Sequence, residues 1–145
     1  MVDADTSLES RWQSITGWLS KAGYDGLPTA PQPSGTLVHG EGLPTVGIWI
    51  MPNNRASGML EDFIALLVPP DDALWEHAKE CLAKISVRIP SKSLIHTWLA
   101  WQDEPGKPLW QAITKRYLDP EAGHSASLVS WLTSLLRTAG VLPLS

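Results

Sequence analysis

Six consecutive residues, Val46-Gly47-Ile48-Trp49-Ile50-Met51, carry no charged or hydroxyl group and end at Pro52. An uninterrupted apolar run closed by proline predicts a strand buried on both faces, because successive side chains point to opposite sides and neither side is polar. Such a strand needs cover above and below. The later part of the chain offers only helix for that purpose: apolar spacings of three and four predict helices over about 58–68, 72–85, 91–103, 109–118 and 125–138. Pro69-Pro70-Asp71-Asp72 and Glu104-Pro105-Gly106-Lys107-Pro108 punctuate them.

Upstream of the run, Thr6-Ser7-Leu8-Glu9 reads as a capping box that opens a helix with Leu8, Trp12, Ile15, Leu19 and Ala22 on one face and Gly23 as its stop. Residues 25–35 are too rich in Gly and Pro for a helix or a central strand, and Thr36-Leu37-Val38 reads as a short strand. The expected fold is α/β: one domain over 1–145, with a few-stranded Rossmann-like layer over about 1–68 and a helical half over about 69–145. Two or three strands give five or six helices little sheet to cover. The expectation is therefore that strands before Met1, or a second protomer, complete the sheet, and that the chain self-associates through an open edge.

Of the 145 residues, 43% are hydrophobic and 18% charged, a globular composition with room for one sizeable core. A net charge of -4 gives no global attraction to nucleic acid or acidic lipid. Cys81 is the only cysteine, which excludes an internal disulfide and a cysteine-rich zinc site. No membrane span or signal segment is evident, so a cytoplasmic address is expected. Eight tryptophans are an unusual number, and they are expected mainly to fill the core.

The chemistry-bearing residues gather at two places. Asp3-Ala4-Asp5 leads from Val2 into the first helix, and two carboxylates on one side of a strand-to-helix turn suit a hard divalent cation. The bland alternative is that they complement a helix N-terminus. Pro52-Asn53-Asn54-Arg55-Ala56-Ser57-Gly58-Met59-Leu60-Glu61-Asp62 follows the strongest strand. If the two strands are parallel, this loop and the Asp3/Asp5 turn share the carboxyl edge where α/β sheets place their sites, with Glu61 and Asp62 as further carboxylates. Alternatively, Glu61 and Asp62 occupy the first turn of a helix capped near Ser57. His96-Thr97-Trp98-Leu99-Ala100-Trp101-Gln102 reads as core helix, with His96 structural. His39, His77 and His124 have no zinc spacing, and Lys107, Lys115 and Arg116 fit a local basic face or a solvated one. No phosphate-binding glycine loop or nucleophile elbow is present.

Val2-Asp3-Ala4-Asp5 with Arg11-Trp12, the segment from Val46 to Asn54, Gly58-Met59-Leu60-Glu61-Asp62-Phe63, and the segment from Ile95 to Gln102 with Pro105-Gly106 resemble an uncharacterised prokaryotic family related to TOPRIM proteins, the domain of unknown function 3226. The resemblance runs over nearly the whole chain. It implies a partial TOPRIM/Rossmann-like fold of the kind shared by primases, topoisomerases and OLD-type nucleases, which bind magnesium through a Glu after the first strand and a D-x-D after the third. Asp3 and Asp5 match the D-x-D, and Glu61 falls where OLD-like relatives place another acid. The early Glu has no counterpart here, so a missing segment of roughly 60 to 80 residues is expected at about 30 residues per βαβ unit. Trp110 also stands where the family has Gly in Pro-Leu-Gly-Gln-Ala-Ile.

The functional expectation is magnesium- or manganese-dependent phosphodiester cleavage or nucleotidyl transfer on nucleic acid by a longer form. Asp3, Asp5 and Glu61 would be the catalytic residues, Asp62 a further ligand, and this chain alone inactive. The rival expectation is a non-enzymatic interaction module, a degenerate TOPRIM-like fragment that docks on a partner or on itself.

Overall fold

The computed structural model describes residues 1–143. They form two compact units: Met1–Leu60 with Gly123 onward, and Glu61–Ala122. Among the described residues the fold is mixed α/β with two small sheets and six helices, most of the helices in the second half.

In the first unit, β1 (Val2–Asp3) turns into α1 (Leu8–Lys21). The helix is capped by Ser7, whose hydroxyl accepts the Ser10 N–H at 3.1 Å, one residue later than the Thr6 cap read from the sequence. The reason is local: the Ser7 N–H donates to Ala4 O at 3.2 Å, which closes the Ala4–Ser7 turn and leaves Ser7 as the last extended residue. Glu9 in the first turn and Lys21 in the last both complement the helix dipole.

The apolar run divides at Trp49. Its first part belongs to β3 (Leu43–Ile48), antiparallel to β2 (Thr36–Gly40) with Thr36 opposite Ile48 and Val38 opposite Val46. Its second part is β4 (Ile50–Met51), parallel to β1 with Val2 opposite Ile50 and Asp3 opposite Met51. Asn54 helps enforce the break, because its Oδ1 accepts the Ile50 N–H at 2.7 Å and its own N–H donates to Ile50 O at 2.8 Å. With both backbone groups of Ile50 engaged by Asn54, β4 meets a strand only on its β1 side.

The expected burial on both faces holds. Val46, Ile48 and Ile50 pack in the cluster that includes Ala4, Trp12 and Tyr24, with Leu8, Ile15 and Leu19 of α1 against it. The alternate residues Gly47 and Trp49 meet α6 (Gly123–Thr138). Leu135 and Trp131 lie over Gly47, and the Trp49 and Trp131 rings are 5.6 Å apart. Period-two alternation thus hands one run to two helices.

The second unit holds most of α2 (Leu60–Ala65), then α3 (Ala73–Leu82), α4 (Pro90–Ala100) and α5 (Gln111–Thr114). Asp72 caps α3 by accepting the Trp75 N–H at 2.7 Å, and its second oxygen accepts the Trp98 indole N–H at 3.2 Å, which ties the start of α3 to α4. Trp75 and Trp98 meet edge to face at 5.8 Å. Phe63, Ile64, Leu67, Ala78, Ile95, Trp98, Leu99, Ala112 and Leu118 are the buried apolar residues of this unit. The helix expected over 109–118 shortens to α5 because Arg116 adopts a left-handed φ of 59° and the Tyr117 N–H turns back to Ala112 O. Among the described residues no helix is long and apolar enough to cross a membrane.

Candidate functional site

β1 is only two residues long, yet it fixes the acidic turn. Ala4 is buried at 2% exposure within the core cluster, while Asp3 before it is half-buried and Asp5 after it is exposed. The parallel pairing of β1 with β4 puts the carboxyl ends of both strands together, which the sequence left conditional on strand direction. The loop after β4 then folds back over the acidic turn. The Asp5 N–H donates to Gly58 O at 2.8 Å, the Leu8 N–H to Ser57 Oγ at 3.3 Å, and the Leu60 N–H to Asp3 Oδ1 at 2.9 Å. The exchange is reciprocal: Ser57 satisfies the start of α1, while Asp3 satisfies the start of α2. Ser57, expected as a cap for α2, serves the other helix.

Asp5 sits at a left-handed φ of 54°, and its Oδ2 accepts from Nη2 of Arg11, in the first turn of α1, at 2.5 Å. The turn and helix start line a shallow cleft with Ser7, Ser10, Arg11 and Ser14. Each carboxylate has one oxygen so engaged, and a carboxylate has lone-pair capacity beyond one contact. A magnesium-sized cation keeps several waters and takes only one or two carboxylates. The residue types suit a hard cation, with Asp5 already paired to Arg11 and Asp3 outside the cleft that Asp5 lines. Among the described residues no group of three His, Cys, Asp or Glu side chains gathers as a metal centre.

Glu61 and Asp62 lie in the first turn of α2, as the bland alternative held. Glu61 pairs with Lys92 Nζ at 3.7 Å, and Asp62 Oδ1 accepts from Ser91 Oγ at 2.5 Å, so both are engaged by α4. Lys107 and Lys115 both pair with Glu104, which neutralises much of the basic face suggested by the sequence. The Glu104 carboxyl is held below the usual range, chiefly by its hydrogen bond from Lys115 and then by that from Lys107, while Glu104 raises Lys115. The His96 helix is core as expected, through Ile95, Trp98 and Leu99, but His96 itself is exposed.

Two features of this edge were not read from the sequence: Asn54, buried at 2%, and the service of Ser57 to α1 instead of α2. The available signal was turn chemistry, since paired asparagines after a proline are suited to left-handed backbone and to bonding nearby amides.

A family model described as a protein of unknown function (DUF3226) matches residues 1–137. No curated protein and no solved structure matches the chain.

Proposed function

The chain belongs to the DUF3226 family, and we propose that it is a TOPRIM-like protein whose Asp3 and Asp5 hold a magnesium or manganese ion for phosphodiester or nucleotidyl chemistry on nucleic acid. The observation that supports this reading best is the parallel β1–β4 pair, which sets the acidic turn at the carboxyl edge of its sheet. A cation there would supply charge stabilisation at a phosphate oxygen. The protein's own part is positional. Arg11 restrains the Asp5 carboxylate, the Leu60 amide orients that of Asp3, and the bridge to Gly58 holds the turn.

The test is thermal unfolding with magnesium or manganese chloride. Binding to the folded state alone stabilises by about 2.7 kcal/mol at a hundred times Kd, so Tm is expected to rise with cation concentration. In the Asp3→Asn/Asp5→Asn double variant the rise is expected to vanish. An equal rise in the double variant overturns the site. A second reading is a non-enzymatic interaction module, for which the exposed ring of Trp18 on α1, at 75% exposure, is the candidate contact. Cation binding with no cleavage of single-stranded, duplex or supercoiled DNA or of RNA would make that reading the better one.

A further inference from the structure

Four tryptophans are buried: Trp12, Trp49, Trp98 and Trp131. Three of their indole N–H groups have acceptors, Pro28 O at 3.1 Å, Asp72 Oδ2 at 3.2 Å and Thr36 O at 3.5 Å respectively. Trp49, at 1% exposure, is the exception: among the described residues its Nε1–H has no acceptor. A buried donor left unpaired costs free energy that the three other indoles avoid. Trp49 also forms part of the wall of a cavity of about 340 Å³, which it shares with Pro33, Asn53, Arg55, Gly123, His124 and Ser127. All of these residues belong to the first unit.

Most of the polar side chains on that wall suit an anion, while the Ser127 hydroxyl is spent on Gly123 O at 3.3 Å. Asn53 Oδ1 accepts two backbone N–H groups, from Arg55 and Ala56, each at 3.1 Å. Its oxygen is thereby spent, and the amide Nδ2 is the end left to donate. Arg55 has no carboxylate partner among the described residues, and no acid lies on the wall to neutralise it. Gly123 and His124 open α6, a 16-residue helix with no acidic residue in its first turn. First-turn amides lack intrahelical acceptors and sit at the positive end of the helix dipole.

We propose that this cavity is a phosphate site and that it takes a phosphomonoester. A guanidinium, an imidazole, an amide and an indole N–H beside a helix N-terminus offer more donors than a flat carboxylate can use. Three terminal oxygens of a monoester dianion match that set, whereas a diester offers only two. The Trp49 N–H is closed to solvent in this structure, so Trp49 becomes the floor donor when its ring shifts toward the bound ligand. The assignment does not rest on a cation at Asp3 and Asp5.

The test is a titration followed by the indole ¹⁵N–¹H resonances, with the Trp49 signal identified by its loss in Trp49→Phe. It is run in EDTA, so that divalent cations play no part. Inorganic phosphate, a sugar phosphate, a 5′-mononucleotide and the corresponding 3′,5′-cyclic diester are the probes, against sodium chloride at matched ionic strength. The Trp49 resonance is expected to shift saturably with the three monoanionic-to-dianionic phosphates and far less with the diester or chloride. Arg55→Gln, a change at an exposed residue, is expected to weaken binding by about ten- to a hundredfold, the range for a lost charged hydrogen bond. A tighter nucleotide than sugar phosphate identifies the source as a mononucleotide, and equal affinities identify a site that reads the phosphate group alone. An unmoved Trp49 resonance, an equal response to the diester, or an unchanged affinity in both Arg55→Gln and His124→Gln overturns the proposal.

Discussion

Asp5 combines two demands in one residue, a left-handed backbone and a charged side chain. The first tolerates Asn or Gly, because a short polar side chain can bond locally and glycine has no Cβ, whereas other L-residues lose about 1–2 kcal/mol there. The second contributes little to stability, since an ion pair with both side chains more than a third exposed is worth about 0–1 kcal/mol. Asp5→Asn is thus expected to change the urea midpoint slightly, and Asp5→Val to lower stability by about 1–2 kcal/mol more than Asp5→Asn. Equal midpoints for the two variants would remove the backbone argument. That Asp3 and Asp5 flank a core residue was legible in the sequence from period-two alternation, whereas the left-handed backbone at Asp5 was not. The cap at Ser7 was not, since Thr6 and Ser7 are equally good cap residues and the turn that selects between them is fixed by the bridge from Asp5 to Gly58. Glu104 shows how far a charge argument carries at this scale. Its lowered carboxyl favours the folded state above the ordinary carboxylate range, and that contribution is lost as pH falls through the folded value; the raised Lys115 loses its own as pH rises through its folded value.

At the level of elements, the apolar run was correctly read as buried on two faces and incorrectly read as one strand. Propensity and burial say nothing about which edge a strand offers to which partner. The division at Trp49 depends on Asn54 engaging Ile50 and on β1 arriving from far away in sequence. Helix positions were legible in outline, and their ends were set by left-handed or proline-started turns such as Arg116 and Pro90. The packing of Trp131 of α6 on the residue before β2 gives a sharp test. A Cβ at Gly35, whose φ is 86°, would lie 2.1 Å from Trp131 Cδ1, so Gly35→Ala meets both strain and overpacking. A loss of about 2–4 kcal/mol is expected in urea denaturation. Gly42, with φ of 69° and nothing within 4 Å of an added Cβ, is the control. Gly42→Ala is expected to cost about 1 kcal/mol, the conformational part alone. Equal losses would mean that the contact with Trp131 is not tight.

For the whole molecule, the division into units follows contacts and not chain order. Glu61–Ala122 is continuous, while the unit containing the acidic turn and the phosphate cavity is assembled from segments on either side of it. Such non-local closure could not be read from periodicity, which reports one helix at a time. Helices joined by short connections form contacts quickly, whereas contacts across long separations form slowly. In pulse-labelling hydrogen exchange during refolding, amides of α3 and α4 are therefore expected to gain protection before those of Val2 and Ala4, which bond Trp49 O and Met51 O across the far-separated β1–β4 pair. Simultaneous protection would show that sequence separation does not order folding. The indole of Trp131 meets Thr36 O across 95 residues. On a ribosome working at about 5–20 residues per second, the strand face that awaits this ring stays wet for on the order of several seconds. Through that interval the nascent chain presents an uncovered apolar sheet surface, so a holding chaperone at the tunnel exit has a defined window and a defined patch to shield.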